Sequence, residues 1–332
     1  MDSVKDKNIL LFVPDGRGNY GSAIEKHLIE RGAKVYIYDE RPSKKSLSKI
    51  ANRLFSNYLE PLNKRYFRQI INNLVDIHFD YVLFIRGEVL TNEILNLFRN
   101  KLNANKYILY LWDSLKNNDK RNVFKSFDDV FSFDRIDCEV HNIKFRPLFF
   151  TESYDQRIHN YTKDIDVLFI GTLHSNRYCF ISEVKSTLSC FNLVSYFYLY
   201  LQTPLLFYKL KFKYKCMRSA KIEEINFKPL PMNAVAEQML KSKVTLDLQS
   251  PSQSGLTMRT IEALGSGTKL VTTNSDIIHY DFYNKENILV LRNGIDELNA
   301  NFFSSNYRLY GNEIYEKYSL KGWINDVFAL NS

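Results

Sequence analysis

Short apolar runs alternate with longer amphipathic stretches in the first half of the chain. The apolar runs, each of strand length, lie at residues 9–13, 35–38, 81–85, 107–112 and 130–133. The helical patterns between them lie at 20–31, 46–76, 91–101 and 119–125. Alternation of strand and helix predicts right-handed strand–helix–strand units, and therefore a parallel sheet. This half of the chain predicts one doubly wound α/β domain, residues 1–150.

A second series of the same kind follows Pro147. Its predicted strands lie at 167–170, 193–201, 244–248, 270–273 and 288–291. Its predicted helices lie at 177–190, 204–220, 233–242, 256–265 and 277–284. The polar stretch 151–164 is the best linker between the two series, and 310–330 has the pattern of a terminal helix. We therefore predict a second domain over 151–309 and a terminal helical segment over 310–332.

This architecture by itself indicates where a ligand would bind. Open α/β sheets bind ligands in the loops beyond the carboxyl ends of their strands. In this chain, those loops are at 15–21, 86–89, 112–114, 171–177, 249–255 and 274–276. Candidate chemistry is therefore sought first among the polar residues of these six loops.

Residues 253–273, with the sequence QSGLTMRTIEALGSGTKLVTT, combine a glycine loop, a short helix and a buried strand. A helix that begins at a glycine loop, here near Gly255 and Thr257, presents unpaired N–H groups and the positive end of its dipole, which suits a phosphate. Arg259 adds a charged donor for phosphate oxygens. Glu262, one turn later, can accept hydrogen bonds from two vicinal hydroxyls. The segment predicts a nucleotide site; a local Arg–Glu surface pair is the alternative.

The pattern G-x-T-M-R-x-x-E-A-L-x-x-G in this segment resembles the donor-binding helix of GT-B glycosyltransferases. The resemblance is closest to the CgeB-like, family 1/4-like branch of bacterial surface polysaccharide enzymes, and it is close over 250–275. It implies two Rossmann-like domains facing a central crevice, with the nucleotide-sugar donor in the C-terminal domain and the acceptor against the N-terminal one. It also implies that the terminal helix packs back on the first domain. Many retaining members carry two glutamates eight residues apart here; Glu262 matches the second, and Ser254 occupies the first position.

The loop at 169–177 is a second candidate for phosphate binding, and it resembles the first strand and loop of GT-B donor domains. Gly171 permits close approach of the backbone, and the N–H groups of Gly171 and Thr172 can donate to phosphate oxygens. Arg177, where a helix begins, can neutralise charge on a leaving diphosphate and so has a predicted catalytic role. His174 lies in the same loop. Simple solvation is the alternative for His174 and Arg177.

The connection at 227–233 is stiffened by two prolines. In the GT-B plan this connection passes beside the base of the nucleotide, so the resemblance makes Lys228 a candidate for contact with the base. Because this assignment comes only from the position of the segment in the similar fold, it predicts where Lys228 lies and not which contact it makes.

The first-domain loops offer a rival interpretation and three candidate bases. Residues 16–21 match G-x-G-x-x-G, and Asp39 follows at the end of the second predicted strand, as in a dinucleotide-binding fingerprint. Against that interpretation, Asp15 would place a carboxylate where the pyrophosphate approaches. In a GT-B enzyme the same Asp15 is a candidate general base, or else a helix cap, and Glu88 and Asp113 are alternative bases. Trp112 is either a sugar-stacking surface or, preferably, part of the core.

Composition and charge limit the remaining classes of function. The chain has 332 residues, 45% of them hydrophobic, as in a soluble protein large enough for two domains. No secretory signal is recognised at the N-terminus, and 191–210 is too interrupted by polar residues to span a membrane. We expect four reduced thiols in a cytoplasmic protein, at Cys138, Cys179, Cys190 and Cys216.

The formal net charge of +8 calls for an anionic partner. The basic residues are dispersed and no nucleic-acid-binding signature accompanies them, so nucleic acid is not expected. Residues 205–218 alternate aromatic side chains with five cations, a composition typical of interfacial segments. Either this segment contacts an anionic membrane surface at the inner face of the plasma membrane, or it is a solvated basic helix whose aromatics face the core.

The sequence therefore predicts a glycosyltransferase that acts on a nucleotide-sugar donor and a glycan or lipid-linked acceptor in capsule or lipopolysaccharide assembly. No cofactor or metal is expected: Asp164 and Asp166 form a D-x-D pattern, but they precede a predicted strand where a metal-binding pair should follow one. The stereochemical course stays open, and Asp15 leads as the base if the enzyme inverts. The alternatives are an NAD(P)-dependent oxidoreductase and a non-catalytic nucleotide- or glycan-binding relative.

Overall fold

The computed structural model describes residues 4–14, 20–42, 56–173, 177–249 and 254–330. Two predicted site residues, Asp15 and His174, lie outside these ranges, as does most of the G-x-G-x-x-G motif. The chain divides into two compact units. The first consists of Met1–Leu148, Pro251–Gly255 and Leu320–Ser332, and the second consists of Phe149–Ser250 and Leu256–Ser319.

The first unit is built on a six-stranded parallel sheet with the order β2-β1-β3-β4-β5-β6. Its strands are β1 Asn8–Val13, β2 Lys34–Asp39, β3 His78–Ile85, β4 Asn103–Leu111, β5 Asp129–Ser132 and β6 Lys144–Phe145. Its helices are α1 Tyr20–Glu30, α2 Ser56–Leu74, α3 Asn92–Lys101 and α4 Arg135–His141, with a 3-10 helix at Arg121–Ser126.

An aromatic cluster forms the core of this first unit. Phe12 on β1 stacks on Phe84 of β3 with ring centroids 4.6 Å apart, and Phe98 of α3 packs edge-on against both rings. The apolar positions of α3 fall on one side of the helix, and Thr91 caps its N-terminus by accepting a hydrogen bond from the N–H of Ile94. The aromatic pairs add to the apolar burial that orients the sheet strands and helix.

The second unit repeats the plan with the strand order β12-β11-β10-β7-β8-β9, again parallel. Its strands are β7 Ile165–Thr172, β8 Ser195–Tyr200, β9 Ile225–Asn226, β10 Ser242–Asp247, β11 Lys269–Thr272 and β12 Ile288–Val290. Its helices are α5 Arg177–Ser189, α6 Pro204–Lys213, α7 Met232–Leu240, α8 Met258–Gly265, α9 Ala300–Ser304 and α10 Asn312–Lys317. The predicted α/β class, with two parallel sheets and flanking helices, is confirmed.

Each sheet has a point where the strand order reverses direction. In the second unit the chain passes from β7 to β8 and β9 on one side, then returns to β10, β11 and β12 on the other. In the first unit the reversal lies between β1 and β3. Loops that leave adjacent strands at such a point diverge and leave a gap at the carboxyl edge, which is where open α/β sheets bind ligands.

Several predicted elements differ from the observed ones near the end of the chain. The segment 310–330 forms two helices, α10 and α11 (Leu320–Val327), because the chain turns at Tyr318 and Ser319. The predicted helix 277–284 is a 3-10 helix, Ser275–His279, with Asn274 as its cap. Both are short segments whose apolar pattern is compatible with more than one local helical geometry.

The stretch 191–210 does not form one continuous helix. It contains β8, a turn at 201–203, and the beginning of α6, where Pro204 occupies the first helical turn. Among the residues that the structure describes, none of the helices combines the length and the apolar character needed to cross a bilayer.

The expectation of four reduced thiols is wrong for one pair. Cys179 on α5 and Cys216 in the 3-10 helix Lys215–Ser219 form a disulfide, with Cα atoms 5.5 Å apart. The two cysteines are 37 residues apart in sequence, and only the packing of α5 against that 3-10 helix brings them together. Spacing along the chain therefore gave no sign of the pair. Cys138 is a buried free thiol, and Cys190 is an exposed one.

Candidate functional site

Arg177 lies at the reversal point of the second sheet. Its Nη1 donates to the carbonyl of Thr172 at the end of β7 (3.0 Å), and its Nη2 donates to the carbonyl of Leu248 just after β10 (2.8 Å). One guanidinium thus bridges the ends of the two central strands. Two of its donors are occupied by backbone, so its charge stays fixed at the carboxyl edge of the sheet.

The N-terminus of the adjacent helix α8 is fixed by Asp247, which lies on the strand β10. Thr257 is the N-cap of α8, and its side chain accepts from the N–H of Thr260. The hydroxyls of Thr257 and Thr260 both donate to Oδ2 of Asp247, each at 2.8 Å. Asp247 is the last residue of β10 and is buried. This carboxylate therefore ties the start of α8 to the end of the central strand.

Arg259 lies in the first turn of α8 with a buried charged nitrogen. Its Nη1 is buried and finds no hydrogen-bond partner among the described residues. A buried guanidinium nitrogen without a partner is costly unless a ligand supplies one. It lies close enough to Arg177 to affect it: burial lowers the pKa of Arg177, the charge of Asp247 opposes that effect, and the charge of Arg259 adds to it. Two neighbouring cations, one of them in the first turn of α8, are suited to an anion.

Glu262 lies one turn further along α8 and is buried. Its neighbour is Tyr154, in the 3-10 helix Glu152–Tyr154, whose hydroxyl lies close enough to the Glu262 carboxylate to feel its charge. Burial raises the pKa of Tyr154 well above its usual range, with the negative charge of Glu262 adding to the effect. Tyr154 therefore stays neutral at any ordinary pH. As a carboxylate, Glu262 has capacity to accept further hydrogen bonds.

The two predicted site glycines are required by packing. A Cβ on Gly171 would lie 2.8 Å from the ring of Phe169, and one on Gly255 would lie 2.5 Å from the ring of Phe133. The N–H of Gly255 donates to Oδ2 of Asp134 at 2.9 Å. The structure thus gives each glycine a local reason to be small, and it gives the Gly255 N–H a partner within the first unit.

Two further residues, Thr172 and Lys228, were predicted to contact the nucleotide-sugar donor, and they lie apart from each other on the second sheet. Thr172 is exposed at the end of β7, beside the carbonyl that binds Arg177. Lys228 is exposed beyond the edge strand β9, where its carbonyl accepts from the hydroxyl of Tyr198 at 2.7 Å. Because β8 lies between β7 and β9, Lys228 is two strands from β7, or roughly 10 Å across the sheet. Thr172, Arg177, Thr257, Arg259 and Glu262 are grouped about β7, β10 and α8, whereas Lys228 stands apart.

The first unit contains a pocket at its own reversal point. The pocket holds about 340 Å³ of space open to solvent. It is lined by Val13, Pro14, Tyr20, Gly21, Arg86, Trp112 and Asp113. Trp112 is half-buried and packs against Tyr20 with ring centroids 5.6 Å apart, so it forms a wall of the pocket and is not part of the core. An aromatic wall beside a charged pair is typical of a site for a polar organic ligand.

A buried group of charges lies behind this pocket. Arg86 contacts Asp113 at 2.6 Å and Glu88 at 3.0 Å, and Arg41 reaches Glu88 at 3.5 Å. Arg86 has a left-handed backbone (φ 77°), which is rare for a residue with a long side chain. Glu40 is fully buried in the same group, and burial raises its pKa to about 8. The candidate bases Glu88 and Asp113 are therefore both ion-paired with Arg86.

The acids of two other motifs, Asp39 of the dinucleotide-binding pattern and Asp166 of the D-x-D pattern, are engaged in local contacts. The Asp39 carboxylate accepts from the N–H of Arg41 and lies 3.6 Å from its side chain, at the place where a dinucleotide-binding acid would meet a ribose. Asp166 lies at the start of β7, pairs with Lys243 at 2.7 Å and accepts from the N–H of Val194. Asp166 is thus at the amino edge of the sheet, at the opposite end of β7 from Arg177.

No protein-family model matches the chain, and no curated protein matches it in sequence. Solved structures do match it in fold. Anabaena HepE in complex with UDP-glucose is 12% identical with a TM-score of 0.56, and the match covers 97% of this chain and 98% of HepE. The lipopolysaccharide outer core galactosyltransferase WaaB is 13% identical with a TM-score of 0.58, covering 97% of this chain and 99% of WaaB.

A UDP-GlcNAc 2-epimerase from Methanocaldococcus jannaschii, solved with UDP-GlcNAc and UDP, is also similar in fold. It is 11% identical with a TM-score of 0.52, and the match covers 97% of this chain and 99% of the epimerase. These neighbours share the GT-B fold, and the two parallel sheets of this chain match it. At such low identity the comparison shows the fold, and the chemistry has to be argued from the residues of this chain.

Proposed function

We propose that the protein is a metal-independent glycosyltransferase that moves a sugar from a nucleotide-sugar donor to a glycan or lipid-linked acceptor in bacterial surface polysaccharide assembly. The observation that carries the proposal is Arg259, whose buried Nη1 lacks a partner among the described residues at the N-terminus of α8. A donor diphosphate would supply that partner. The second cation, Arg177, is fixed beside it at the ends of β7 and β10.

The proposed donor site divides the nucleotide between two parts of α8. The diphosphate binds at the helix N-terminus, where the dipole, the Thr257 end of the helix and Arg259 all favour negative charge. The ribose hydroxyls donate to Glu262, which is buried beside Tyr154. When the bond from sugar to phosphate breaks, negative charge grows on the diphosphate. Cations that are already in position stabilise that charge, without a metal ion.

The acceptor is proposed to bind at the pocket of the first unit. Trp112 offers an apolar face for a sugar ring, and Asp113, fixed by Arg86, offers a carboxylate for its hydroxyls. Asp113 is a base candidate within the described residues, whereas Asp15 stays a prediction outside them. The HepE neighbour, solved with UDP-glucose, makes UDP-sugars the first donors to test, and a lipid-linked acceptor would place the reaction at the inner face of the plasma membrane.

A thermal-shift panel with UDP, GDP, CMP, dTDP, NAD⁺ and NADP⁺ tests the donor class. A nucleotide present at about 100 times its Kd should stabilise the folded protein by about 2.7 kcal/mol. We expect a shift with one or more of the nucleoside mono- or diphosphates. A shift with NAD⁺ or NADP⁺ alone would overturn the transferase proposal in favour of an oxidoreductase.

The nucleotide that binds is then tested as its sugar conjugates, with and without a membrane fraction as acceptor source. A transferase releases free nucleotide and labels the acceptor. An epimerase would change the sugar with the nucleotide-sugar pool conserved, and a non-catalytic relative would bind without either change. Either of those two results would contradict transfer while leaving the nucleotide site intact.

A further inference from the structure

Helix α6 has apolar side chains on two opposite faces. Phe207 and Leu210 are buried in the core of the second unit. On the other side, Leu205 is 79% exposed, Tyr208 is 59% exposed and Phe212 is 91% exposed. At about 100° per residue, these three side chains fall within an arc of about 60°. They form one contiguous stripe on the solvent side. We call this stripe, together with Lys209 and Lys213, the outer face of α6.

The outer face of α6 is also strongly basic. Residues 204–219 contain five cations and no acid. Lys209 and Lys213 are exposed and flank the stripe on one side, and Lys215 and Arg218 are exposed in the 3-10 helix that follows. Within the described residues, none of these four cations belongs to an ion pair. Lys211 differs, because its Nζ donates to the carbonyl of Ala220 at 2.8 Å.

We propose that the outer face of α6 docks on an anionic lipid surface. Aromatic and leucine side chains in a row, flanked by lysines, are the composition of helices that lie in the membrane interface. The aromatic and aliphatic groups enter the headgroup boundary, and the flanking ammonium groups remain among the lipid phosphates. The sequence pattern alone left open whether the aromatics of this segment face the core: Phe207 does, whereas Tyr208 and Phe212 are exposed.

A second copy of the chain is a poorer occupant of this face. A two-fold interface would bring each patch against itself, and Lys209 and Lys213 of one copy would then meet the same two cations of the other at short range. An anionic membrane complements the same charge. The apolar stripe runs from Leu205 to Phe212, eight residues or about 10 Å along the helix, so the contact is short and the association is expected to be reversible. This surface lies outside the donor site and does not depend on the proposed transfer reaction.

Vesicle flotation of the full chain tests the proposal, with phosphatidylcholine vesicles compared with vesicles that also contain phosphatidylglycerol. At low ionic strength the wild type should float with the anionic vesicles, and added salt should release it. The triple variant Leu205→Ser, Tyr208→Ser, Phe212→Ser should lose binding by on the order of 10-fold or more. The double variant Lys209→Gln, Lys213→Gln should lose about 30-fold, at about one factor of 5 for each cation.

Matched variants elsewhere test whether vesicle binding depends on this face or on exposed apolar and basic side chains in general. Val140→Ser with Leu309→Ser removes two other exposed apolar side chains, and Lys101→Gln with Lys285→Gln removes two other exposed cations. Both pairs should bind vesicles as the wild type does. The proposal is overturned if the wild type ignores anionic vesicles, or if the control pairs lose as much as the α6 variants. It is also overturned if the triple variant changes only the sedimentation coefficient, which would make the face a dimer interface.

Discussion

The hydroxyl of Thr257 donates to Oδ2 of Asp247 at 2.8 Å, and this contact fixes the start of α8 at the end of β10. The two residues are ten positions apart, on either side of a loop that is partly outside the described residues. Because Asp247 also accepts from Thr260, a single carboxylate sets the position of the whole first turn. The orientation of Arg259 follows from that turn.

Asp247→Ala should weaken nucleotide binding although Asp247 is not assigned a contact with the nucleotide. The change leaves two hydroxyls without their acceptor, at a cost of about 1–3 kcal/mol in the free energy of unfolding. Asp247→Asn keeps one acceptor oxygen and should lie between the wild type and Asp247→Ala. Urea denaturation and calorimetric nucleotide titration measure the two effects. Asp119→Ala, which removes an exposed acid of the first unit, is the control. Unchanged nucleotide affinity in folded Asp247→Ala would show that α8 is positioned independently.

Arg259→Met should lower donor turnover by about 10²- to 10³-fold, the scale for losing one preorganised charge stabiliser. Arg259→Lys keeps the charge but not the planar fork, so it should recover only part of the loss. The measurement is kcat/KM for the donor at saturating acceptor. Arg292→Met, at an exposed position, should be neutral. If folded Arg259→Met turned over donor at the wild-type rate, the role assigned to this helix would be wrong.

Glu262→Gln should reduce the affinity for a ribonucleoside diphosphate by roughly 1–3 kcal/mol, the range for hydrogen bonds to a charged group. The side chain keeps its shape but accepts more weakly. With a 2′,3′-dideoxynucleoside diphosphate the variant and the wild type should bind alike, since the hydroxyls that Glu262 accepts from are gone. An equal loss with both ligands would mean that the substitution acts on the fold and not on the ribose.

Glu40 should make the folded protein less stable as the pH rises, which is the opposite of the usual effect of a carboxyl group. Burial raises its folded pKa to about 8, against an ordinary value of 4.5. Between these values the folded protein retains a proton that the unfolded chain releases, so stability falls as pH rises through that window. Glu40→Gln removes the titration. Its stability advantage over the wild type should be absent below pH 4.5 and grow up to pH 8, with a ceiling of about 5 kcal/mol.

Urea denaturation of the Glu40→Gln and wild-type proteins at several pH values measures this difference. Glu313→Gln, which changes an exposed acid, serves as the control and should show no growing advantage. A difference between Glu40→Gln and wild type that stays constant across the window would show that Glu40 is ionised in the folded protein.

Donor turnover should survive an excess of chelator. The proposed site stabilises the diphosphate with Arg177, Arg259 and the dipole of α8, and the D-x-D pair lies at the amino edge of β7. Although burial alone would raise the pKa of Asp166, its hydrogen bond from Lys243 lowers it, which leaves Asp166 a paired carboxylate. Asp164→Asn with Asp166→Asn should change turnover by no more than a few-fold. Activity lost with chelator and restored by Mn²⁺ or Mg²⁺ would refute this view of the phosphate chemistry.

Local sequence determined the α/β architecture and the candidate donor segment. Apolar runs of strand length between amphipathic helices indicate which side of each element is buried, and this pattern predicts both sheets. The 257–262 pattern likewise places a cap, a cation and an acid on one short helix, because their spacing is set by the helix itself. Boundaries were less well determined where short segments fit several local geometries, as in the terminal helices.

The tertiary structure alone decided which distant residues meet these local features. Asp247, which fixes the start of α8, and Tyr154, which lies beside Glu262, were not identified from the sequence, since each belongs to an element that is separate in the chain. The Cys179–Cys216 disulfide and the two-sided character of α6 are of the same kind. Residues that are adjacent across a parallel sheet can be tens of residues apart in sequence, and no local period encodes that pairing. The sequence therefore determined the chemistry of α8, and the packing of the second unit determined what holds it in place.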